Sequence, residues 1–498
     1  MNNELGFRNF IWSLRRSYLW FIVIALPAQF IFFKVQYPYP NFRGDSASYI
    51  AAAYLHADAA EWPVGYSKFL SFIHFFSHSD TFLVSIQYLL LEISALLFIF
   101  TLKYFIHPGK IAFNILFAFI VINPLFLHLG NYIMSDALFI SLSLLWIAQL
   151  LWVIYRPSPI QIFLHALLLL CLFTVRYNAI FYPFVAALTF ILSSLRPWVK
   201  LTGIALSLVL IGLYIGYTEN KFYQAIKTNQ FSPFSGWQLA NNALYAYSHV
   251  SVDNTTEAAG QFFELDSLTR QSFKSDQREF LRHQYIKDYF IWNPGSPLAQ
   301  YLAFKWRGDT STDMFTKWAS MGPIYAAYGS FLLRKYPLEY LRYFVWPNII
   351  NFFMPLIADL DYYNGGSNII DYRAQIWFGY KSREITTASG NFALSVIKPY
   401  PFLIALLNIA FISCILFYQF FHKLFIPGQA FNHTIKMIAS FWLFNFCFSA
   451  SASSIELRYQ IFQLILDFSF TMILLELLIK ITNENNSTMD QFEKGSIS

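Results

Sequence analysis

Residues 136–155 read DALFISLSLLWIAQLLWVIY, twenty positions whose only charge is the first, Asp136. At about 1.5 Å per residue, a helix of that length crosses the roughly 30 Å hydrocarbon core of a bilayer. Runs of similar character recur at about 82–106, 111–129, 199–217, 401–421, 434–452 and 459–480. An earlier run covers 18–33, and two shorter ones fill 160–194. No soluble core can bury so many apolar segments. Across all 498 residues, 56% are apolar and 12% are charged, whereas a soluble domain carries about 25% charge. The expectation is an all-α polytopic membrane protein with about ten transmembrane helices.

Charge placement orients these helices. The first run follows Arg8, Arg15 and Arg16 and lacks a small-residue cleavage pattern, so it reads as an uncleaved signal anchor with a cytoplasmic N-terminus. The pair of shorter runs is broken at Thr174–Asn178, with Arg156, Arg196 and Lys200 at its other ends, so it goes out and returns. Strict alternation then puts Lys103, Lys110, Arg156, Arg196, Lys200, Lys423, Lys436 and Lys480 near the cytoplasm. The short outer connections keep only Arg176 and Arg458. The predicted division is a membrane module over 1–217 with a first outer loop at 35–80, an outer and mainly helical loop domain over 218–399, helices over 400–482, and a polar, disordered cytoplasmic tail over 483–498. Within the loop domain, Lys274–Tyr289 carries a polar helical pattern. Pro337–Trp346 puts Leu338, Leu341 and Val345 on one face and Glu339 and Arg342 on another, as in a helix lying along the membrane surface.

Other classes are disfavoured. The net charge of +6 is scattered near helix ends and forms no basic stripe, which argues against nucleic-acid binding. Cys171, Cys414 and Cys447 all sit in apolar runs and suggest no disulfide framework. Asn254 and Asn432 open glycosylation-type triplets, the second on the predicted cytoplasmic side, and carry no argument.

Directly beyond the first helix stands Asn41-Phe42-Arg43-Gly44-Asp45-Ser46-Ala47-Ser48-Tyr49, followed by an Ala/Tyr helical stretch and Glu61-Trp62-Pro63-Val64-Gly65-Tyr66. Later come Asn123-Pro124, Tyr132-Ile133-Met134-Ser135-Asp136, Thr174-Val175-Arg176-Tyr177-Asn178, Arg334–Leu341 and Glu456-Leu457-Arg458-Tyr459. In this order and placement the chain resembles the GT-C membrane glycosyltransferases, the superfamily of protein O-mannosyltransferases and bacterial aminoarabinose transferases. Each motif alone is short and degenerate. The resemblance implies an acidic active-site residue in the first outer loop, at Asp45, followed by two interfacial helices. It also implies a lipid-linked sugar donor and a single displacement that inverts the anomeric centre.

The chemistry of such a transfer needs a base for the acceptor, cations for the departing phosphate and a groove open to lipid. Asp45 is the candidate general base, with helix N-capping as the plain alternative. Arg176 and Arg458, and secondarily Arg43, are candidates for the donor phosphate, since guanidinium pairs bidentately with phosphate oxygens. Snorkelling at a helix end is the alternative, with Glu456 a partner for Arg458. Ser135-Asp136 reads as a helix cap or, for Asp136, as a second acidic residue of the site. His56, Asp58 and Glu61 offer metal-type ligands at a spacing that fits no standard motif. A cofactor is unknown: none is required by the sequence, though a divalent cation is compatible with it. Glu92 and Asp467 lie inside spans, where ionisable groups are costly.

The expected function is transfer of a sugar from a polyprenyl-phosphate carrier to an acceptor glycan, lipid or protein at the outer face of a bacterial inner membrane. Two rivals stand beside it. One is a transporter or lipid-linked glycan flippase, for which Glu92 and Asp467 would line a path. The other is a polymerase or ligase of lipid-linked polysaccharide.

Overall fold

The computed structural model describes residues 6–14, 16–250, 260–274, 288–388, 394–421 and 428–495. Among them the chain is helical throughout, with three isolated bridges in place of any named strand. Eight helices are long and apolar enough to cross a membrane: Arg16–Gln36, Asp80–Phe105, Lys110–Gly130, Asp136–Tyr155, Pro197–Ile226, Ser395–Phe420, Gln429–Ala452 and Leu457–Lys480. The pattern is that of a multi-pass membrane protein. The two shorter apolar helices, Pro159–Val175 and Tyr177–Leu192, meet at Arg176 as the break in the sequence predicted. At 17 residues, Pro159–Val175 is short for a span.

Local sequence sets the breaks. Ser79 caps the second helix by accepting from the Phe82 N–H at 3.3 Å. The run predicted over 111–129 is bent at Asn123-Pro124. Pro124 lacks the N–H that would continue the ladder, and the Asn123 side chain caps the next segment by accepting from the Leu125 N–H at 3.1 Å. Asp136–Tyr155 and Leu457–Lys480 are each 67% buried, against 11% for Arg16–Gln36 and 17% for Pro197–Ile226. The first two are therefore central, and the last two turn most of their apolar side chains outward, as lipid-facing helices do.

Three boundaries differ from expectation. The helix predicted to end at 217 runs to Ile226. The last helix continues to Gly495, where composition suggested a disordered tail. Propensity does not explain this, since three Asn, Ser, Thr, Asp and Gly lie in the stretch, and the extension propagates from a helix already nucleated in the span. The piece predicted as one surface helix is a short helix, Pro337–Tyr340, a wide turn over Leu341–Val345, and a second helix, Trp346–Phe353. Pro347 cannot donate into the preceding turn, which the wide turn accommodates. Leu338, Leu341, Trp346 and Ile350 remain exposed, whereas Val345 packs on the loop domain. Most of the pattern at Lys274–Tyr289, together with Asn254 and Lys423, lies outside the described residues.

The first outer loop forms the helices Ser46–Tyr54 and Val64–Phe76. The loop after the seventh segment has its own core around Trp237, Leu244, Phe290, Tyr325 and Tyr328. There Asp266 accepts from the hydroxyls of Tyr247 (3.1 Å) and Tyr328 (2.9 Å) and from Arg270 Nε (2.6 Å).

Candidate functional site

Four segments far apart in sequence are sewn together where the site forms. The Asn41 N–H bonds the Asn131 carbonyl at 2.8 Å, and the Ile133 N–H returns to Asn41 O at 3.1 Å. The Leu457 N–H bonds Leu356 O at 2.7 Å. Asn41 and Asn364 clasp each other: the Asn364 N–H donates to Asn41 Oδ1 (2.9 Å), and the Phe42 N–H donates to Asn364 Oδ1 (3.2 Å). Asn364 sits at φ +46°, a left-handed conformation Asn tolerates better than most side chains. Asn364→Ala leaves the Phe42 N–H without its acceptor and strains the turn, so a loss of about 2 kcal/mol in stability is expected. Thermal unfolding of the purified variant checks this, and an unchanged midpoint would contradict the clasp.

These seams bring Asp45, Arg43, Arg176 and Arg458 onto one cleft of about 1110 Å³. Asp45 occupies the N-cap position of Ser46–Tyr54, yet its side chain makes no capping bond. The capping alternative therefore fails. Gly44 at φ +62° turns the chain just before it, and a Cβ there would lie 3.4 Å from Asp359 Oδ2. Burial pushes the Asp45 carboxyl up to about 8; nearby Arg458 pulls it down, while Glu61, Asp359 and Asp136 add to the rise.

Both inner arginines point into the protein and do not snorkel. Arg176 donates from Nη1 to Asp136 Oδ1 at 2.5 Å and lies over the Tyr459 ring, 4.6 Å from its centroid. Arg458 is 8% exposed and donates from Nε to Glu456 Oε2 (2.9 Å) and from Nη2 to the Tyr459 hydroxyl (2.7 Å). It also stands 3.5 Å from both Asp136 Oδ2 and Asp359 Oδ2. Arg43 pairs with Asp359 at 3.3 Å. Asp136 thus lies beneath the cleft as the carboxylate shared by both arginines, and Ser135 makes no side-chain cap.

The loop domain contributes residues that sequence reasoning passed over: Asp288, Asp359, Asp361 and Lys398 also line the cleft. The only local signal was the acidic pair Asp359-Leu360-Asp361 in an otherwise aromatic stretch. In all, four basic and six acidic side chains line it. Burial also raises Glu456, to about 7, against the pull of Arg458.

The three residues weighed as metal ligands are not gathered into one site. Asp58 pairs with Lys68 (2.9 Å) and Lys221 (3.2 Å), while Glu61 accepts from Ser48 Oγ at 2.6 Å on the cleft wall. The His56 carbonyl accepts from Lys68 Nζ at 3.1 Å. No group of three ligand-type side chains that could hold a metal occurs among the described residues. Glu92 and Asp467 do not line the cleft. Asp467 ends a buried polar chain in which Asn445 Nδ2 donates to Gln463 Oε1 (3.1 Å) and Gln463 Nε2 donates to Asp467 Oδ1 (2.5 Å). The upper end of that chain lines a cavity of about 40 Å³ below Arg176 and Arg458.

Counting the eight long apolar helices and the two shorter ones in chain order, every cleft-lining residue lies in or beside the connection after an odd-numbered one: 37–79, 131–135, 176, 227–399 and 453–456. The other connections carry Lys103, Lys110, Arg156 and Arg196. The cleft gathers the odd-numbered connections, while residues 105–108, Tyr155, Gly428 and Lys480 meet around a separate cavity of about 320 Å³.

Fold and site together define a polytopic helical membrane protein with an acid- and arginine-lined cleft, roofed by a helical loop domain. No protein-family model, curated protein or solved structure matches the chain.

Proposed function

We propose that this protein is a GT-C-type glycosyltransferase that moves a sugar from a polyprenyl-phosphate donor to an acceptor at the outer face of a bacterial inner membrane. In this reading all ten apolar segments cross, and both termini are cytoplasmic. The observation that carries it is the convergence of Asp45 with the buried Arg458 and the partly buried Arg176, from three separate connections, on one cleft. An active site at the outer face has no access to cytoplasmic nucleotide sugars, which makes a lipid-linked donor the natural source.

In the reaction, an acceptor hydroxyl or amine attacks the anomeric carbon as the bond from that carbon to the phosphate oxygen breaks. The acceptor proton passes to Asp45, and polyprenyl phosphate leaves with the bonding pair. Arg176 and Arg458 stabilise the charge that grows on the departing phosphate. A single displacement of this kind inverts the anomeric centre.

Incubation of purified protein with a panel of polyprenyl-phosphate sugars tests the reading. Release of free polyprenyl phosphate with sugar transfer is expected. Vectorial movement of the lipid across a vesicle membrane without bond cleavage would instead mark a transporter.

A further inference from the structure

We propose that the wall of the cleft built by Trp62, Phe234 and Trp292 is a carbohydrate platform, so that the acceptor of the proposed transfer is a glycan. This rests on the transferase reading above. Ring centroids of Trp62 and Phe234 lie 4.6 Å apart, and those of Phe234 and Trp292 lie 6.4 Å apart with planes within 23°. Trp292 is 46% exposed, a large apolar face left open in a cleft.

The wall is rigid. Trp292 stacks on Trp318 (6.5 Å, 5°), which stacks on Trp237 (5.6 Å, 10°), itself 1% exposed in the loop-domain core. The backbone under Trp292 is pinned where the Phe290 N–H donates to Asn241 Oδ1 at 3.1 Å. A preformed aromatic face offers binding without ordering cost.

Polar groups share its cleft: Glu61 precedes Trp62 in the chain, and Gln238 and Asp288 also line the cavity. Pyranose rings present C–H groups on a face, which pack on indole, and hydroxyls at the rim, which bond to carboxylates and amides. A prenyl chain would cover the rings but offer nothing to the acceptor capacity that Glu61 and Asp288 keep beyond their bonds from Ser48 (2.6 Å) and Ser454 (3.4 Å). The platform adjoins the base: the Tyr49 ring, one helical turn beyond Asp45, packs 6.4 Å from Trp62.

The full-length protein in nanodiscs, passed over immobilised envelope oligosaccharides, peptides and phospholipid vesicles, tests this without any donor. Oligosaccharide retention is expected, weakened on the order of tenfold or more by Trp292→Ala and largely kept by Trp292→Phe, with the thermal midpoint of both near wild type. No retained oligosaccharide, equal retention by Trp292→Ala, or retention on peptides or vesicles alone would overturn the platform. Retention by a protein that releases no polyprenyl phosphate would remove the transferase reading and leave the platform standing.

Discussion

Asp45→Asn is expected to fold, to bind donor and to lose transfer by about two to four orders of magnitude, the usual worth of a positioned general base. Asparagine preserves the shape of the side chain at the head of Ser46–Tyr54 but cannot take a proton. The structure sharpens the expectation because the carboxyl makes no capping bond whose loss would confound the result. In the wild type, kcat/KM rises with pH along a limb near pH 8, since the base must first shed the proton that burial favours. Stability moves the other way. A carboxyl held at about 8 binds a proton in the folded state that the unfolded chain, with its ordinary value near 4, has already lost. Folding free energy therefore weakens as pH climbs between those values, and Asp45→Asn, uncharged throughout, escapes that part of the weakening. Turnover and thermal midpoint across pH 5–9 check both parts. Transfer at the wild-type rate by the variant would remove Asp45 from the mechanism.

How far the sequence discloses such a site depends on whether its signal is local. Hydropathy runs are local, so the long helices are legible residue by residue, and the outer arginines stand out because positive charge is otherwise sparse on those connections. Asp359, Asp288 and Trp292 carry no such mark. They lie in a loop without periodicity, and their approach to Asp45 is fixed by long-range contacts such as the clasp of Asn41 with Asn364. The same limit applies to partners. Glu456 is legible beside Arg458 because only Leu457 separates them, while the contacts of Arg458 with Asp136 and Asp359 join residues some 320 and 100 positions away. The wide turn at Leu341–Val345 escaped because an amphipathic pattern fixes a face and not a continuous hydrogen-bond ladder.

Arg458 is where donor binding and stability meet, and two substitutions separate them. Arg458→Lys keeps a cation among Glu456, Asp136 and Asp359 but loses the planar fork. Donor KM should rise on the order of tenfold or more, with a modest fall in thermal midpoint. Arg458→Met removes the cation: Asp136 keeps Arg176 and Asp359 keeps Arg43, but Glu456 loses its ion-pair partner, a change of the kind that costs about 3–5 kcal/mol. That cost depends on pH in a defined direction. Glu456 already stands at about 7 because burial outweighs the pull of Arg458. Without the arginine it rises further, so the folded state takes up protons the unfolded chain lacks, and stability falls as pH increases above about 4. The Met variant should accordingly recover most of its thermal midpoint at pH 5 and lose it at pH 8, whereas the Lys variant changes little between them. An equal midpoint for the Met variant at both pH values would show that Arg458 does not offset the burial of Glu456, and its role at the donor phosphate would then need a different basis.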